Sequence, residues 1–335
     1  MTRKILLFLL LGLAVVGGLG FWKTHYPAGP RWEKQTRFMM DTYVTIEAAG
    51  PGKTASRAIG LALDRMEELD EKMNPFNPKS PLYAFNHHGA PITDPEILGV
   101  VRTALEVSQA SEGAFDITTF PLTELWGFGT ESVRVPSEEK IKETLKNVGY
   151  HHLILRSGRL EKDKKGVAID LGAIAKGYAV AEAVKTLKAA GVTSGLVDAG
   201  GDVYALGRKD GRLWKVGIQA PRGEGLLGYL EVEDRSVACS GDYERFFMEN
   251  GKRYHHIFNP RTGYPAEGLT SVTVVYPDCA LTDAWTTALF VMGPEKGLEA
   301  VKKIPGLETI MITTTGEKLF SPGLKDALKN VPDNT

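Results

Sequence analysis

The stretch Leu281-Thr-Asp-Ala-Trp-Thr-Thr-Ala-Leu-Phe-Val-Met292 is apolar apart from one carboxylate and a few hydroxyls, and it reads as a buried helix. Asp283 and Thr287 lie four residues apart, so on a helix they stand one above the other on the same face. A carboxylate over a hydroxyl offers two oxygen ligands to a hard cation. Mg²⁺ takes few protein ligands and leaves room for substrate phosphates, so one carbonyl from elsewhere would complete such a site. The same pattern has a purely structural reading, in which Thr282 or Asp283 caps a core helix and Thr287 packs inside it.

Working outward, Ser271 to Val275 is a β-rich run that predicts a buried strand leading into this helix. Before it, Tyr254-His-His-Ile-Phe-Asn-Pro-Arg-Thr-Gly-Tyr-Pro265 predicts a strand closed by a Pro/Gly turn, the return arm of a hairpin through Glu249-Asn-Gly-Lys252. On a strand His255 and His256 face opposite ways, so only one of them can address a site. Neither pairs with Cys at zinc-ligand spacing. Ser194 to Gly207 reads as strand, glycine turn at Gly200-Gly201, strand, and Trp214 to Ile218 with Gly228 to Glu233 as two more strands. In Val167-Ala-Ile-Asp-Leu-Gly-Ala-Ile-Ala-Lys-Gly177 a strand is expected to end at Asp170 and a helix to start near Ala173. Such a turn is either close packing of strand on helix or an anion site at free N–H groups, with Lys176 adding charge.

Further upstream, Ala55 to Met73 and Pro95 to Gly113 have helical periodicity, and Pro136 to Val148 predicts a short polar helix. Asn74-Pro-Phe-Asn-Pro-Lys-Ser-Pro81 breaks regular structure and carries one aromatic, Phe76, suited either to hold a planar ring or to act as a hydrophobic lid. Ala114 to Gly129 is aromatic and poor in charge, either core or a wall against a flat ligand. Asp116 within it requires a partner. Arg37 to Glu47 alternates as a strand in its second half.

The chain has 335 residues, 43% of them hydrophobic, with 40 basic against 41 acidic side chains. That balance, without a basic tract, argues against a nucleic-acid partner held through phosphates. Arg3 and Lys4 precede eighteen uncharged residues, Ile5 to Trp22, which predicts an export signal or an N-in, C-out membrane anchor. The expected organisation is a signal anchor or signal peptide over 1–24, a tether over 25–36 and a catalytic domain over 37–330. The expected location is the extracytoplasmic (periplasmic) face of the inner membrane. Cys239 and Cys279 are either bridged or two buried small hydrophobes. Strands clustered between helices, without repeats, predict an α+β fold: a single unit of two intimately packed α+β halves.

With the segments in order, Met40-Asp-Thr42, Gly113-Ala-Phe-Asp116, Asp170 to Gly177, Gly200-Gly201, Ser240-Gly-Asp-Tyr243, His256 to Gly263 and Asp283-Ala-Trp-Thr-Thr287, the chain resembles the FAD:protein FMN transferase (ApbE) family from about Phe38 to Gly316. Each segment alone is weak, but all of them in one order are specific. The resemblance implies Mg²⁺-dependent transfer of FMN from FAD to a threonine, or serine, hydroxyl of a partner protein, with release of AMP. It places the Mg²⁺ ligands on Asp283, Thr287 and the carbonyl of Ala173. FAD contacts fall on Met40, Phe76, Ala114, Phe115, Asp116, Asp170, Lys176, His256 and Ile257. His256 and Asp283 are both candidate bases for the acceptor hydroxyl. The implied partners are flavoprotein subunits of membrane redox complexes. Two positions depart from the family pattern: Asp41 stands where glycine is usual, and Phe76 where some members carry tyrosine. Competing readings are an FAD pyrophosphatase with water as acceptor and a non-catalytic FAD-binding or delivery protein.

Overall fold

The computed structural model describes residues 31–130 and 132–330. The membrane segment expected over 1–24 and the first part of the tether lie outside the described residues. Among the described residues no helix is long and apolar enough to cross a membrane.

The fold opens with a hairpin of β1 (Arg31–Met39) and β2 (Thr42–Gly50), paired without interruption from Arg31↔Gly50 to Met39↔Thr42. Its two-residue turn, Met40-Asp41, has φ of 53° and 56°. Positive φ at both central residues is the type I′ geometry that matches strand twist, and it propagates pairing back along the whole of β1. Residues 31–36, expected in the tether, are therefore strand.

Two strands, β3 (Leu153–Arg156) and β4 (Arg159–Lys162), form a small separate hairpin. The main sheet continues with β5 (Ser194–Ala199) and β6 (Asp202–Leu206). A second separate hairpin consists of β7 (Trp214–Gln219) and β8 (Leu226–Val232). Then come β9 (Arg235–Gly241), the hairpin β10 (Phe246–Glu249) and β11 (Lys252–His255), and finally β12 (Leu269–Tyr276), β13 (Glu308–Thr313) and β14 (Lys318–Phe320).

The main sheet has eight strands in the order β1-β2-β5-β6-β9-β12-β13-β14, every neighbouring pair antiparallel. Spatial order thus follows chain order. The two halves expected from sequence are four strands each of this one sheet, joined where β6 pairs β9.

Among the described residues the helices longer than one turn are α1 (Thr54–Met73), α2 (Pro95–Ala110), α3 (Phe120–Trp126), α4 (Glu138–Leu145), α5 (Ala175–Ala189), α6 (Cys279–Met292) and α7 (Pro294–Lys302). Alternation along the strands sends successive side chains to opposite faces. Tyr204, Leu206, Val272, Val274 and Met311 join the helix-side core with Leu63, Val180 and Leu289. Val203, Ala205, Val237, Ile310 and Ile312 face a second core closed by Trp214, Val216, Ile218 and Leu230 of the β7–β8 hairpin. The helix-side core is the larger. Full burial of a Leu or Phe such as Leu289 or Phe290, both wholly inaccessible, contributes about 2 kcal/mol each.

Two local expectations are corrected. Residues 167–170 are extended but form no strand, because Asn86 pairs with Ile169 in place of a neighbouring backbone, its amide donating to the Ile169 carbonyl and its Oδ1 accepting the Ile169 N–H, both at 2.8 Å. The late helix starts at Cys279, not near Leu281. Its cap is Asp278, which accepts from Leu281 N at 2.9 Å. Neither Thr282 nor Asp283 is a cap, so Asp283 lies inside the helix with no structural duty at its terminus.

Candidate functional site

Helices α5 and α6 meet at Gly177. A β-carbon there would lie 2.2 Å from the Cys279 carbonyl oxygen and 2.7 Å from Cβ of Asp283, so only glycine permits the approach. At this contact the Gly177 N–H donates to Asp283 Oδ2 at 3.0 Å. Gly177 is the third residue of α5, in the first turn, where backbone N–H groups have no acceptor within the helix, and Asp283 supplies one. The carbonyl of Ala173, just before the helix, accepts from no backbone N–H among the described residues. Asp283 Oδ1 likewise accepts no hydrogen bond among the described residues. Thr287, one turn along α6, is half-buried, and its hydroxyl lies 3.4 Å from that of Ser240 at the end of β9.

These groups line a cleft of about 290 Å³. It gathers Met40, Ala114, Phe115, Asp116, Asp170, Ala173, Lys176, His256, Ile257, Asp283 and Thr287, every expected site residue but one. The exception is Phe76. Its ring packs on Phe120 with centroids 5.4 Å apart and lies over Gly129, held by the loop hydrogen bond from Phe76 N to Asn74 Oδ1 at 2.9 Å. The ring is half exposed beside the cleft, next to the lining residue Phe128. A larger hollow of about 800 Å³ surrounds Arg222, Arg253 and Tyr254 but holds none of these residues except the flank of the His255 strand.

The electrostatics divide the cleft. Burial, reinforced by Asp202, pushes the Asp283 carboxyl up to about 7 against the pull of Lys176 and the Gly177 N–H. Lys176 forms an ion pair with buried Asp202. Burial works against the ammonium, but Asp202 and Asp283 outweigh it and raise its pKa. Its charge is thus already shared with a carboxylate. Burial also raises Asp170, whose Oδ1 accepts from Gly172 N at 2.8 Å.

Asp116 has the partners its position demands. Thr118 N and Oγ1 donate to its Oδ1 at 2.8 and 2.6 Å, and Tyr150 N donates to its Oδ2 at 2.7 Å. It anchors the wall of the cleft. The two histidines separate: His255, the last residue of β11, is buried, its Nε2 donating to the Ala266 carbonyl at 2.9 Å, while His256, one residue past the strand, faces the cleft. His256 Nδ1 lies 3.2 Å from the Arg245 carbonyl and donates to it, which leaves Nε2 unprotonated toward the cleft. Burial and the Arg245 charge push the His256 pKa down to about 3.

Several lining residues had no role assigned from sequence, Arg245, Glu244, Thr42 and Cys239 among them. Arg245 makes no ion pair among the described residues and presents a cation beside Asp170 and His256. Its signal was its place two residues beyond Ser240-Gly-Asp-Tyr243. Glu244 and Thr42 also line the cleft. So does Cys239, which is not in apolar surroundings: its Sγ lies 3.3 Å from Ser271 Oγ and 3.6 Å from Tyr243 Oη. Both cysteines are free.

A divalent cation suits the donor set. A carboxylate oxygen, a hydroxyl and a backbone carbonyl, each without a competing strong donor, stand together in an acidic pocket. Among the described residues no group of three or more His, Cys, Asp or Glu side chains has metal-holding geometry, so a transition-metal centre of that kind has no basis here.

The ApbE family model matches residues 40–311. The chain belongs to the ApbE family. The FAD:protein FMN transferase of Vibrio cholerae serotype O1 is 33% identical over 289 residues, covering 83% of this chain and 86% of that protein. The FAD:protein FMN transferase of Escherichia coli K12 is 32% identical over 301 residues, with coverage of 84% and 85%. Among solved structures, the ApbE protein of Thermotoga maritima superposes with a TM-score of 0.84 at 34% identity, covering 90% of this chain and all of that one. Apo flavinyl transferase ApbE from Pseudomonas stutzeri gives a TM-score of 0.80 at 31% identity, with 91% and 99% coverage. Asp41, with φ of 56°, lies in the left-handed region, which aspartate is one of the few side chains to tolerate.

Proposed function

We propose that this chain is an FAD:protein FMN transferase that moves FMN from FAD to a threonine or serine hydroxyl of an acceptor protein and releases AMP. The observation that carries the reading is the meeting of α5 and α6 at Gly177, where Asp283 spends one oxygen on the Gly177 N–H and the Ala173 carbonyl and the other Asp283 oxygen, free of backbone donors among the described residues, line one cleft with Thr287. Mg²⁺ held by these three oxygens would neutralise charge on the pyrophosphate and its leaving phosphate.

In the transfer, the acceptor oxygen forms a bond to the FMN-side phosphorus while the bond from that phosphorus to the bridging oxygen breaks. AMP departs with the bridging oxygen, and the hydroxyl proton passes to a base. Arg245, with no carboxylate partner of its own among the described residues, suits the pyrophosphate. Lys176, neutralised by Asp202, positions that wall instead. The apolar wall of Ala114, Phe115 and Ile257 suits the flavin ring. His256 offers an unprotonated Nε2 to the acceptor proton, and its low pKa favours passing that proton on to solvent. Asp283 is better placed as a cation ligand, since a carboxylate cannot hold the cation and a proton on the same oxygen.

The N-terminal segment supports an extracytoplasmic location, with flavoprotein subunits of membrane redox complexes as acceptors. The test is to incubate the enzyme, FAD, Mg²⁺ and exported proteins and search by mass spectrometry for an FMN-sized adduct on a hydroxyl side chain. Adducts that require FAD and Mg²⁺ and do not arise from FMN support the reading. Free FMN and AMP without any adduct would indicate a pyrophosphatase, and unchanged FAD a binding protein.

A further inference from the structure

Beside the catalytic cleft runs a second groove, of about 560 Å³, that shares Thr42, Gly200, Cys239 and Glu244 with it. The two are therefore continuous, and they join next to Ser240, whose hydroxyl contacts Thr286 and Thr287 of the candidate cation site.

The groove has two unlike walls. One is a sheet face: Leu196 and Asp198 of β5, Val203 of β6, and Val237 and Cys239 of β9 alternate along their strands as residues on one face must. The other is β7, which contributes five consecutive residues, Lys215 to Gln219. A strand seen by its face offers every second residue. Five in succession mean that the groove meets the strand along its edge. Among the described residues β7 pairs with β8 only, so that edge carries unpaired backbone N–H and C=O groups. An unpaired edge is a template for another strand. Gly217 at its centre offers no side chain of its own, and the neighbouring apolar Leu226 is half exposed in the groove.

We infer that this groove is the entry for the acceptor: an extended segment of the partner protein pairs with the open edge of β7, passes over the part-exposed Leu196, Asp198 and Cys239 while Val203 and Val237 stay covered by β7, and delivers its hydroxyl past Gly200 and Cys239 to the cation site. The inference rests on the transferase reading and names where its protein substrate binds. Edge pairing recognises backbone, and so tolerates varied sequences, while the narrow junction selects for the one side chain that passes through it.

The test uses FAD-loaded enzyme and a synthetic peptide centred on whichever hydroxyl the adduct mapping identifies; absence of any adduct would already have removed the transferase reading, independently of this step. Amide hydrogen exchange over residues 214–219 is expected to slow when the peptide is added, while β8, already paired, changes little. Leu226→Trp, which fills the groove from an exposed position, is expected to raise KM for the acceptor about tenfold with FAD affinity and kcat retained. Gln219→Trp, also exposed, serves as the second obstruction. Peptide-dependent protection only elsewhere, as around Arg222 and Tyr254, or an unchanged KM in both variants that still transfer, would overturn the inference. So would β7 protection produced by FAD alone, which would give the groove to the nucleotide. Protection present without peptide and lost on deleting residues 1–30 would give it to the chain's own N-terminus.

Discussion

Asp283→Asn isolates the charge at the centre of the site. The amide keeps the side chain's shape and still offers an oxygen to the Gly177 N–H, so packing of α5 on α6 is retained. What disappears is a carboxyl that burial and the Asp202 charge push up to about 7, from an ordinary aspartate value of 3.8. Between those values the native state holds a proton that the unfolded chain has lost, so wild-type stability falls as pH rises through this window. Across the whole titration the group accounts for roughly 4 kcal/mol, and between pH 5 and 8 for roughly 2 to 3 kcal/mol. Urea unfolding in EDTA at several pH values should therefore show wild type losing that much relative to the variant as pH rises from 5 to 8. On the proposed reading Mg²⁺ takes the ionised form, so at pH 8 it should restore stability, by roughly 3 kcal/mol at a hundredfold excess over Kd. Its effect should weaken below pH 7 and be absent in Asp283→Asn. Equal pH slopes in the two proteins, or equal stabilisation of both by Mg²⁺, would refute the assignment of the buried proton and the cation to this side chain.

Gly177→Ala forces the α5–α6 contact apart and should cost about 1 to 3 kcal/mol in urea unfolding, with a loss of Mg²⁺ affinity that calorimetry would detect. Lys176→Met leaves Asp202 buried and unpaired and should destabilise by roughly 3 to 5 kcal/mol; adding Asp202→Asn should recover most of it, and non-recovery would mean the pair is not the cause. Because the His256 pKa lies near 3, the imidazole is neutral throughout pH 5–8, so kcat/KM should show no break in that range that disappears in His256→Gln. Such a break would place the histidine's titration where the fold denies it.

Legibility differed by the range of the interaction involved. Turns encoded by adjacent residues could be read directly: Gly200-Gly201 and Asn250-Gly251 have positive φ and close hairpins where expected. Of His255 and His256 only one addresses the cleft, although the strand ends at His255. Expectations failed where a distant side chain replaced a local pattern. The Asn86 amide satisfies Ile169 from 83 positions away, so a segment with strand composition has no strand partner. Phe76 turns toward Phe120, a contact no spacing announces. The start of α6 was hidden because the apolar run begins after the cap, Asp278, and not at it. Arg245 was passed over because an exposed arginine in a hairpin has no distinguishing mark until its neighbours are known.

The cation site and the helix packing are consequences of one contact. Glycine at 177 brings the first turn of α5 close enough for Asp283 to take an N–H that has no acceptor within the helix, and the carbonyl of Ala173, just before that turn, is the third oxygen of the set. The flavin wall is secured differently, by Asp116 holding Thr118 and Tyr150 on the far side of the cleft. Perturbing the helix contact should therefore weaken Mg²⁺ binding well before flavin binding, and perturbing Asp116 should do the reverse. If Gly177→Ala and Asp116→Asn impaired Mg²⁺ and flavin binding in the same proportion, the two ends of the cleft would be one cooperative unit and the separation argued from their hydrogen bonds would fail.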